Sequence, residues 1–391
     1  MAFSHLSNTL LSILLVLVPV LCVSEYDYLE FKNFGYSGTY NPVASLNDID
    51  SSSCSCELGD PVRFSGASAP LNEQVSVHFR GPLILHQFAV YTSPDFVGGK
   101  SLSGNWSRIA YYNGEEGVAE NATFLTTAGT NSSCLGKALT YAGSDGLSKA
   151  SSATVLDKNT LIGSNDEYSI FSNLTCGDSS PDGDCGVYRP DIPAYKGYSG
   201  TVKMFTFEFE MPTEETASED ISNYNMPAIW LLNAQIPRTA QYSLNANCSC
   251  WRSGCGEFDI FEVMNTTESD HLYTTIHDYQ GTDDIESGIA IPGYINRDTS
   301  GVMSGGALFD SNGDVYVWMS NSTLFNSSVP YSHVNSHYIN NNDAAVDTLS
   351  SVSFSPASST SASKKGDAAN ANDSLISRLA VGFMGVLFWL L

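Results

Sequence analysis

Short stretches of alternating apolar and polar residues characterise the first third of the chain. Val75, Val77 and Phe79 alternate with polar residues, and Gly81-Pro82 separates them from the apolar segment 83–92. A period of two predicts half-buried strands, and the Gly-Pro pair predicts a turn between two of them. Because no long stretch has the 3.6-residue period of an amphipathic helix, the pattern predicts a mainly β protein.

The first apolar run of the chain predicts secretion. Residues 10–21 have the length of a signal-peptide core, and Cys22 and Ser24 are small residues suited to cleavage before Glu25. No Lys or Arg precedes the run, which is unusual for a signal peptide. A membrane-spanning helix is the alternative, but it needs roughly 20 apolar residues. We therefore expect a signal peptide over residues 1–24.

The last 50 residues predict a stalk and a lipid anchor. From residue 341 the sequence is rich in Ser, Ala and Asn, which predicts a disordered, O-glycosylated stalk over 341–366. A small triplet, a polar spacer and the apolar run 379–391 then follow, as in a glycosylphosphatidylinositol signal. Asn370 is an alternative attachment point, and a single membrane-spanning helix is the alternative structure. We expect residues 367–391 to be removed as an anchor signal.

The charge of the chain excludes some partners. Its 42 acidic and 17 basic residues give a formal net charge of −25. Such a surface repels nucleic acid and anionic lipid, so we expect no nucleic-acid partner and membrane contact only through the lipid anchor. The charge suits an extracellular protein, expected to be a monomer, that acts on neutral or cationic polymers.

Eight cysteines follow the predicted signal peptide, an even number that predicts four disulfides whose pairing the sequence leaves open. A zinc site at Cys248, Cys250 and Cys255 is the alternative, but their spacing is unusual for zinc and free thiols rarely survive an oxidising compartment. The eight are Cys54, Cys56, Cys134, Cys176, Cys185, Cys248, Cys250 and Cys255.

Many N-glycosylation sequons accompany these cysteines. In a chain with a signal peptide they predict a glycosylated exterior. They begin at Asn105, Asn121, Asn131, Asn173, Asn247, Asn265, Asn321, Asn326 and Asn372.

The segment between Cys176 and Cys185 carries three aspartates, Asp178, Asp182 and Asp184. Close carboxylates can hold a structural calcium ion, but the full pattern of a calcium loop is missing, which favours an acidic turn closed by a disulfide. We expect no cofactor to be required.

The segment GEFDIFEV, residues 256–263, carries the clearest chemical signal. In a strand, Glu257 and Asp259 share one face, whereas Glu262 reaches that face only if a β-bulge adds one residue. Repulsion among three close carboxylates raises the pKa of at least one, which leaves a proton donor beside an ionised partner. Glycoside hydrolysis needs that pair. The alternative is an ordinary solvated strand.

Four elements in order resemble the signature of glycoside hydrolase family 16. They are the segment TVKMFTFEFEMP at residues 201–212, PAIWLL at 227–232, the acidic segment itself and TTIH at 274–277. The resemblance implies a concanavalin-like β-sandwich, or jelly roll, within an all-β, disulfide-stapled chain.

A closer resemblance, from about residue 54 to residue 330, is to the "target of SBF" group of fungal cell-wall proteins. It rests on CSC at residues 54–56, FSG at 64–66, the segment 71–91 and CSCWRSGCGEFDIFE at 248–262. This resemblance implies an enzyme that acts on β-1,3-glucan in the fungal wall, secreted to the wall or anchored at the outer plasma membrane.

The resemblance also implies residue roles. Glu257 would be the nucleophile, Glu262 the acid/base, and Asp259 the group between them. Trp251 and Trp230 would be sugar platforms and His277 a hydrogen-bonding group of the cleft. For Trp230 a buried core position is the alternative.

The domain prediction leaves one question open. We expect a catalytic domain over residues 136–340 and a β-rich region over 25–135. Few residues separate Glu262 from the predicted stalk, so the β-rich region either completes the sandwich or stands beside it.

The carboxylate motif predicts a glycoside hydrolase, and the resemblance implies a retaining endo-β-1,3-glucanase that helps to organise the fungal wall. A glucan or chitin–glucan transglycosylase shares the same intermediate and is the first alternative. A wall lectin or structural glycoprotein without turnover is the second. Three close negative charges favour an enzyme, because a pure binding protein gains nothing from them.

Overall fold

A computed structural model describes residues 23–100, 103–215, 221–339 and 343–351. Most of the predicted signal peptide, most of the stalk and the whole anchor signal therefore lie outside the described residues. Within those ranges, no helix has the length and apolar character needed to span a membrane.

Strands dominate the described residues, so the prediction of an all-β protein is confirmed, whereas the jelly-roll connectivity stays a prediction. The strands are β1 (Tyr28–Lys32), β2 (Gly38–Tyr40), β3 (Val43–Asn47), β4 (Ser55–Leu58), β5 (Val62–Phe64), β6 (Val75–Arg80), β7 (Leu83–Thr92), β8 (Asn105–Asn113), β9 (Val118–Glu120), β10 (Thr123–Thr126), β11 (Asn131–Ser132), β12 (Gly136–Lys137), β13 (Thr140–Ala142), β14 (Lys149–Ala150), β15 (Leu161–Ile162), β16 (Glu167–Phe171), β17 (Lys203–Glu210), β18 (Ala228–Asn233), β19 (Glu257–Glu262), β20 (His271–His277), β21 (Ile289–Ala290), β22 (Ile295–Asn296), β23 (Met303–Phe309), β24 (Val315–Met319), β25 (Ser328–Pro330) and β26 (Ala345–Thr348). The helices are α1 (Gln235–Thr239) and α2 (Tyr331–His337), with 3-10 turns at Ala246–Cys248, Trp251–Ser253 and Thr266–Glu268.

Two ten-stranded sheets form the body of the fold. Sheet 1 has the order β25-β8-β7-β17-β23-β24-β1-β26, with β15 beside β7 and β9 beside β8. Sheet 2 has the order β14-β13-β10-β16-β6-β18-β19-β20-β21, with β22 beside β20. Each sheet thus contains strands from both sides of residue 135, and the two predicted regions form one body.

Aromatic side chains join the two sheets in one core. Phe79 of β6 meets Phe207 of β17 at a ring-centroid distance of 6.1 Å, and Phe261 of β19 stacks on Phe209 of β17 at 5.6 Å. Val75 and Val77 are also fully buried, as their alternation predicts. Removing this apolar surface from water is the main stabilising contribution.

The outer face of sheet 2 is partly covered by the N-terminal strands β2 and β5. Tyr36, Tyr40 and Phe64 pack there in one cluster with Trp230 and Leu232 of β18. Because these residues cover β18, a site on this face of sheet 2 can form on the neighbouring strand β19 and beyond it.

All eight cysteines after the signal peptide are oxidised, which confirms the prediction of four disulfides. Three of the sulfurs, those of Cys56, Cys134 and Cys248, lie within 4.8 Å of one another because two of the bonds pack side by side. The pairs are Cys54–Cys134, Cys56–Cys248, Cys176–Cys185 and Cys250–Cys255.

The predicted start of the stalk at residue 341 is wrong. β26 pairs in parallel with β1, with Leu29 opposite Ala345, and both Ala345 and Leu349 are buried in the main core. The polar composition of this segment concealed a short strand whose few apolar residues face inward. A stalk can begin only after Leu349.

The strand β26 gives a direct test of this correction. Replacing Leu349 by Ala removes a buried side chain, and we expect the free energy of unfolding to fall by about 2–4 kcal/mol. Val346 of β26 is 41% exposed, so Val346→Ala should change it by less than about 0.5 kcal/mol. Denaturant unfolding of both variants measures this difference. Equal, small effects would contradict the burial of this segment.

Candidate active site

A β-bulge in β19 brings three carboxylates to one face. Opposite β18, Leu232 pairs with Glu257 and Trp230 with Asp259, but Ile229 pairs with Phe261, so Ile260 is the extra residue. The pairing with β20 shifts in the same place, between Asp259 and Glu262. The β-bulge that Glu262 needs in order to share a face with Glu257 and Asp259 is therefore present. Glu257, Asp259 and Glu262 lie on the outer face of sheet 2, whereas Phe258, Ile260 and Phe261 are fully buried in the core.

Glu257 receives a hydrogen bond from the disulfide loop that precedes it. The indole Nε1–H of Trp251 donates to Oε2 of Glu257. The Cys250–Cys255 disulfide closes the loop that carries Trp251. Burial, followed by the charge of Asp259, raises the pKa of Glu257 to about 8, although His277 and the Trp251 hydrogen bond act in the opposite direction.

Asp259 and His277 form a buried ion pair. Nε2 of His277 lies 3.0 Å from Oδ2 of Asp259, and its Nδ1–H donates to the carbonyl oxygen of Ile285 at 2.7 Å. Burial disfavours the charged ring, but the Asp259 hydrogen bond and the charges of Asp259 and Glu257 outweigh it and raise the pKa of His277 to about 10. The imidazolium therefore supplies one positive charge among the carboxylates at neutral pH.

Arg80 supplies a second positive charge, from a strand near the N-terminus. Its Nη2 lies 3.1 Å from Oε1 of Glu262, and its Nε–H donates to the carbonyl oxygen of Met226 at 2.7 Å. Burial and the charge of Asp259 raise the pKa of Glu262 despite the opposing effects of Arg80 and His277. The cluster thus combines carboxyl groups of raised pKa with two neighbouring cations, an arrangement that suits proton transfer.

The structure brings all six predicted site residues together: Glu257, Asp259, Glu262, His277, Trp251 and Trp230, the last lying directly opposite Asp259. Trp251 is half-buried, and its ring centroid lies 6.2 Å from that of His277. Trp230 is only 4% exposed and packs against the ring of His78, at 5.2 Å, and the guanidinium of Arg80, at 5.9 Å. A stacking platform needs an exposed ring face, so Trp230 as placed packs against Arg80 and matches the core alternative.

Four neighbours of the carboxylates were not predicted from the sequence: His78, Arg80, Glu167 and Tyr242. The alternation of β6 contained the signal for two of them, because its polar positions must face away from the core that Val75, Val77 and Phe79 enter. Burial lowers the pKa of His78 to about 3, and its Nε2 lies 2.8 Å from Oγ of Ser76. A neutral imidazole therefore lies beside Trp230.

The acidic loop closed by Cys176 and Cys185 gives no further support to a calcium site. Oδ2 of Asp184 lies 2.7 Å from Nζ of Lys196, and Oδ1 accepts the backbone N–H of Gly177 at 3.0 Å. One of the three candidate ligands is thus already paired with a cation. The acidic turn that the sequence favours over a calcium site stays a prediction, as does the expectation that no cofactor is required.

Two models of one protein family match most of the chain. A family model described as the C-terminal part of cell wall protein YJL171C/Tos1 matches residues 104–337, and one for the N-terminal part matches residues 27–93. No solved structure matches.

Three relatives illustrate the range of similarity, and each is described as a probable circularly permuted 1,3-β-glucanase. The Candida albicans protein PGA52 is 59% identical over 96% of this chain and 97% of its own length. The Saccharomyces cerevisiae protein YJL171C is 50% identical over 92% of each chain. The Saccharomyces cerevisiae protein TOS1 is 33% identical over 74% of this chain and 85% of its own length.

These matches confirm the resemblance to the "target of SBF", or Tos1, group, whereas the relation to glycoside hydrolase family 16 stays a prediction. The two family models together span both sheets, including β6 with Arg80 and β19 with the three carboxylates. The chain belongs to the YJL171C/Tos1 family of cell wall proteins.

Proposed function

We propose that this protein is a cell-wall glycoside hydrolase that cleaves β-1,3-glucan with retention of configuration. The observation that carries the proposal is the bulged strand β19, which sets Glu257, Asp259 and Glu262 on one face with Arg80 and His277 beside them. The names of the relatives support the substrate. Secretion, glycosylation and the lipid anchor are part of the same proposal and rest on the sequence pattern.

The proposed reaction has two steps. The Glu257 carboxylate attacks the anomeric carbon while Glu262 gives its proton to the departing glycosidic oxygen, which leaves a glycosyl ester on Glu257. Glu262, now ionised, takes a proton from water as the water oxygen attacks the anomeric carbon. The bond between that carbon and the Glu257 carboxylate breaks, so Glu257 leaves as a free carboxylate and Glu262 is again protonated. If a sugar hydroxyl replaces water in the second step, the same residues carry out transglycosylation.

The surrounding groups fit this division of roles. Trp251 donates a hydrogen bond to Glu257, which orients the nucleophile and favours its ionised form. Asp259, held by His277, lies between the two glutamates and is proposed to position the nucleophile. Raised carboxyl pKa values keep a proton on the cluster near neutral pH.

The contact between Arg80 and Glu262 favours the reverse assignment as a second candidate. A guanidinium stabilises the ionised form of Glu262, and the pKa of Glu257 near 8 suits a proton donor. In that case Glu262 would be the nucleophile and Glu257 the acid/base.

Substitution of each glutamate by Gln distinguishes the two assignments. We expect Glu257→Gln and Glu262→Gln each to lower the turnover of β-1,3-glucan by several powers of ten while binding persists, because the shape is kept and a carboxyl group is lost. With an activated aryl glycoside, Glu262→Gln should still form the glycosyl-enzyme, since a good leaving group needs little protonation, whereas Glu257→Gln should not. Labelling with a fluorosugar followed by peptide mass mapping identifies the nucleophile. Label on Glu262 would reverse the roles, and full activity of both variants would place the catalytic site elsewhere.

The pH profile of an Arg80→Met variant gives an independent test. Arg80 lowers the pKa of Glu262, so its removal should raise that pKa. If Glu262 is the acid that must carry a proton, the alkaline limb of the kcat/KM profile should move to higher pH. A shift of the acidic limb instead would identify Glu262 as the group that must be ionised. Lys158→Met, which breaks an exposed ion pair with Glu115, is the matched control and should leave both limbs in place.

A further inference from the structure

A row of side chains leads from Glu262 across sheet 2 to a loop outside the catalytic cluster. Ala228 of β18 lies opposite Glu262, Arg80 of β6 lies opposite Ala228, and Glu167 of β16 lies opposite Arg80. Directly opposed residues of antiparallel strands share one face. With neighbouring strands about 4.8 Å apart, the backbone of Glu167 is about 14 Å from that of Glu262. This is the distance of a few sugar rings along a bound glucan chain.

An exposed tyrosine ends this row. The hydroxyl of Tyr242 donates to Oε1 of Glu167 at 2.7 Å, and Nε2 of Gln241 donates to Oε2 of the same carboxylate at 3.2 Å. Tyr242 is nevertheless 43% exposed. Its polar end is anchored in the row while part of its ring faces solvent.

The loop that carries Tyr242 is held in place on its other side. The backbone N–H of Leu244 donates to the carbonyl oxygen of Cys134 at 3.0 Å, and Cys134 is bonded to Cys54. An anchored aromatic ring loses little conformational freedom when a ligand stacks on it, so it makes an efficient platform.

We propose that Tyr242, Gln241 and Glu167 form a distal sugar-binding subsite that takes one glucose unit of a β-1,3-glucan chain, an inference that rests on the proposed function. The ring of Tyr242 stacks on the apolar face of the pyranose. Glu167 accepts hydrogen bonds from sugar hydroxyls, and the amide of Gln241 both donates and accepts. Because Glu167 lies three strands away from Glu262 in sheet 2, a disaccharide bound at the carboxylates does not cover the ring of Tyr242.

Binding measurements in an inactive background test the subsite without turnover. In Glu257→Gln protein, calorimetric titration with β-1,3-linked glucose disaccharide and hexasaccharide gives two dissociation constants. We expect Tyr242→Ala to weaken hexasaccharide binding about tenfold, equivalent to about 1.4 kcal/mol, and disaccharide binding by less than about twofold. Tyr242→Phe keeps the ring and should retain most of the hexasaccharide affinity. Tyr111→Ala, on the outer face of sheet 1, is the matched control and should change neither constant.

The outcomes separate this inference from the proposed function. Unchanged hexasaccharide affinity in Tyr242→Ala overturns the subsite, and so does equal weakening by Tyr242→Phe and Tyr242→Ala, which would show that the hydroxyl only holds the loop. If the wild-type protein hydrolyses β-1,3-glucan while either result is found, only the subsite falls. If it neither binds nor hydrolyses any β-1,3-glucan, the proposed function falls and the subsite with it.

Discussion

The burial of three carboxylates on one strand is the constraint on which the rest of this site depends. Like charges at successive positions on the outer face of β19 repel one another, and burial deprives them of the water that would stabilise them. Two cations offset the repulsion and desolvation of the carboxylates: His277 lies against Asp259, and Arg80 lies against Glu262. The indole of Trp251 adds a hydrogen bond to Glu257. These partners favour the ionised forms of Glu257 and Glu262, and nucleophilic chemistry needs one ionised member.

The partners come from distant parts of the chain, which links the site to the topology of sheet 2. Arg80 belongs to β6 and faces the cluster across β18, while His277 belongs to β20 on the opposite side of β19. One family model covers β6 and the other covers β18, β19 and β20. Neither region holds a complete site by itself, because the guanidinium and the carboxylates meet only when β6 inserts beside β18. The shared core between the sheets therefore also fixes the electrostatics of the site.

Two disulfides and a packed tryptophan hold the groups around the carboxylates in place. The Cys250–Cys255 disulfide restrains the loop with Trp251, and Cys56–Cys248 ties the segment just before it to the N-terminal strands. Trp230 also packs against the guanidinium of Arg80 and against the tilted ring of a neutral His78. Donors and charges held in place before substrate arrives need little reorganisation during a reaction, which is the condition for electrostatic stabilisation of a transition state.

The sequence by itself determined the local features of this protein. Alternation in Val75, Val77 and Phe79 predicted a buried strand, and the spacing of Glu257, Asp259 and Glu262 required the bulge that Ile260 forms. The number of cysteines predicted four disulfides. Each of these is a local property, since side-chain parity, turn chemistry and oxidation follow from neighbouring residues and the compartment.

The tertiary structure decided which distant residues meet. Arg80 is 182 residues from Glu262, and no local pattern indicates that β6 will pair with β18. The same reason explains the stalk boundary: the parallel pairing of β26 with β1 buries Ala345 and Leu349 in a segment whose composition is polar. It also explains Trp230, whose burial depends on β2 and β5 covering the sheet. Strand pairing over long separations is set by the fit of whole sheets and by the core they share, so it cannot be inferred from any single stretch of the chain.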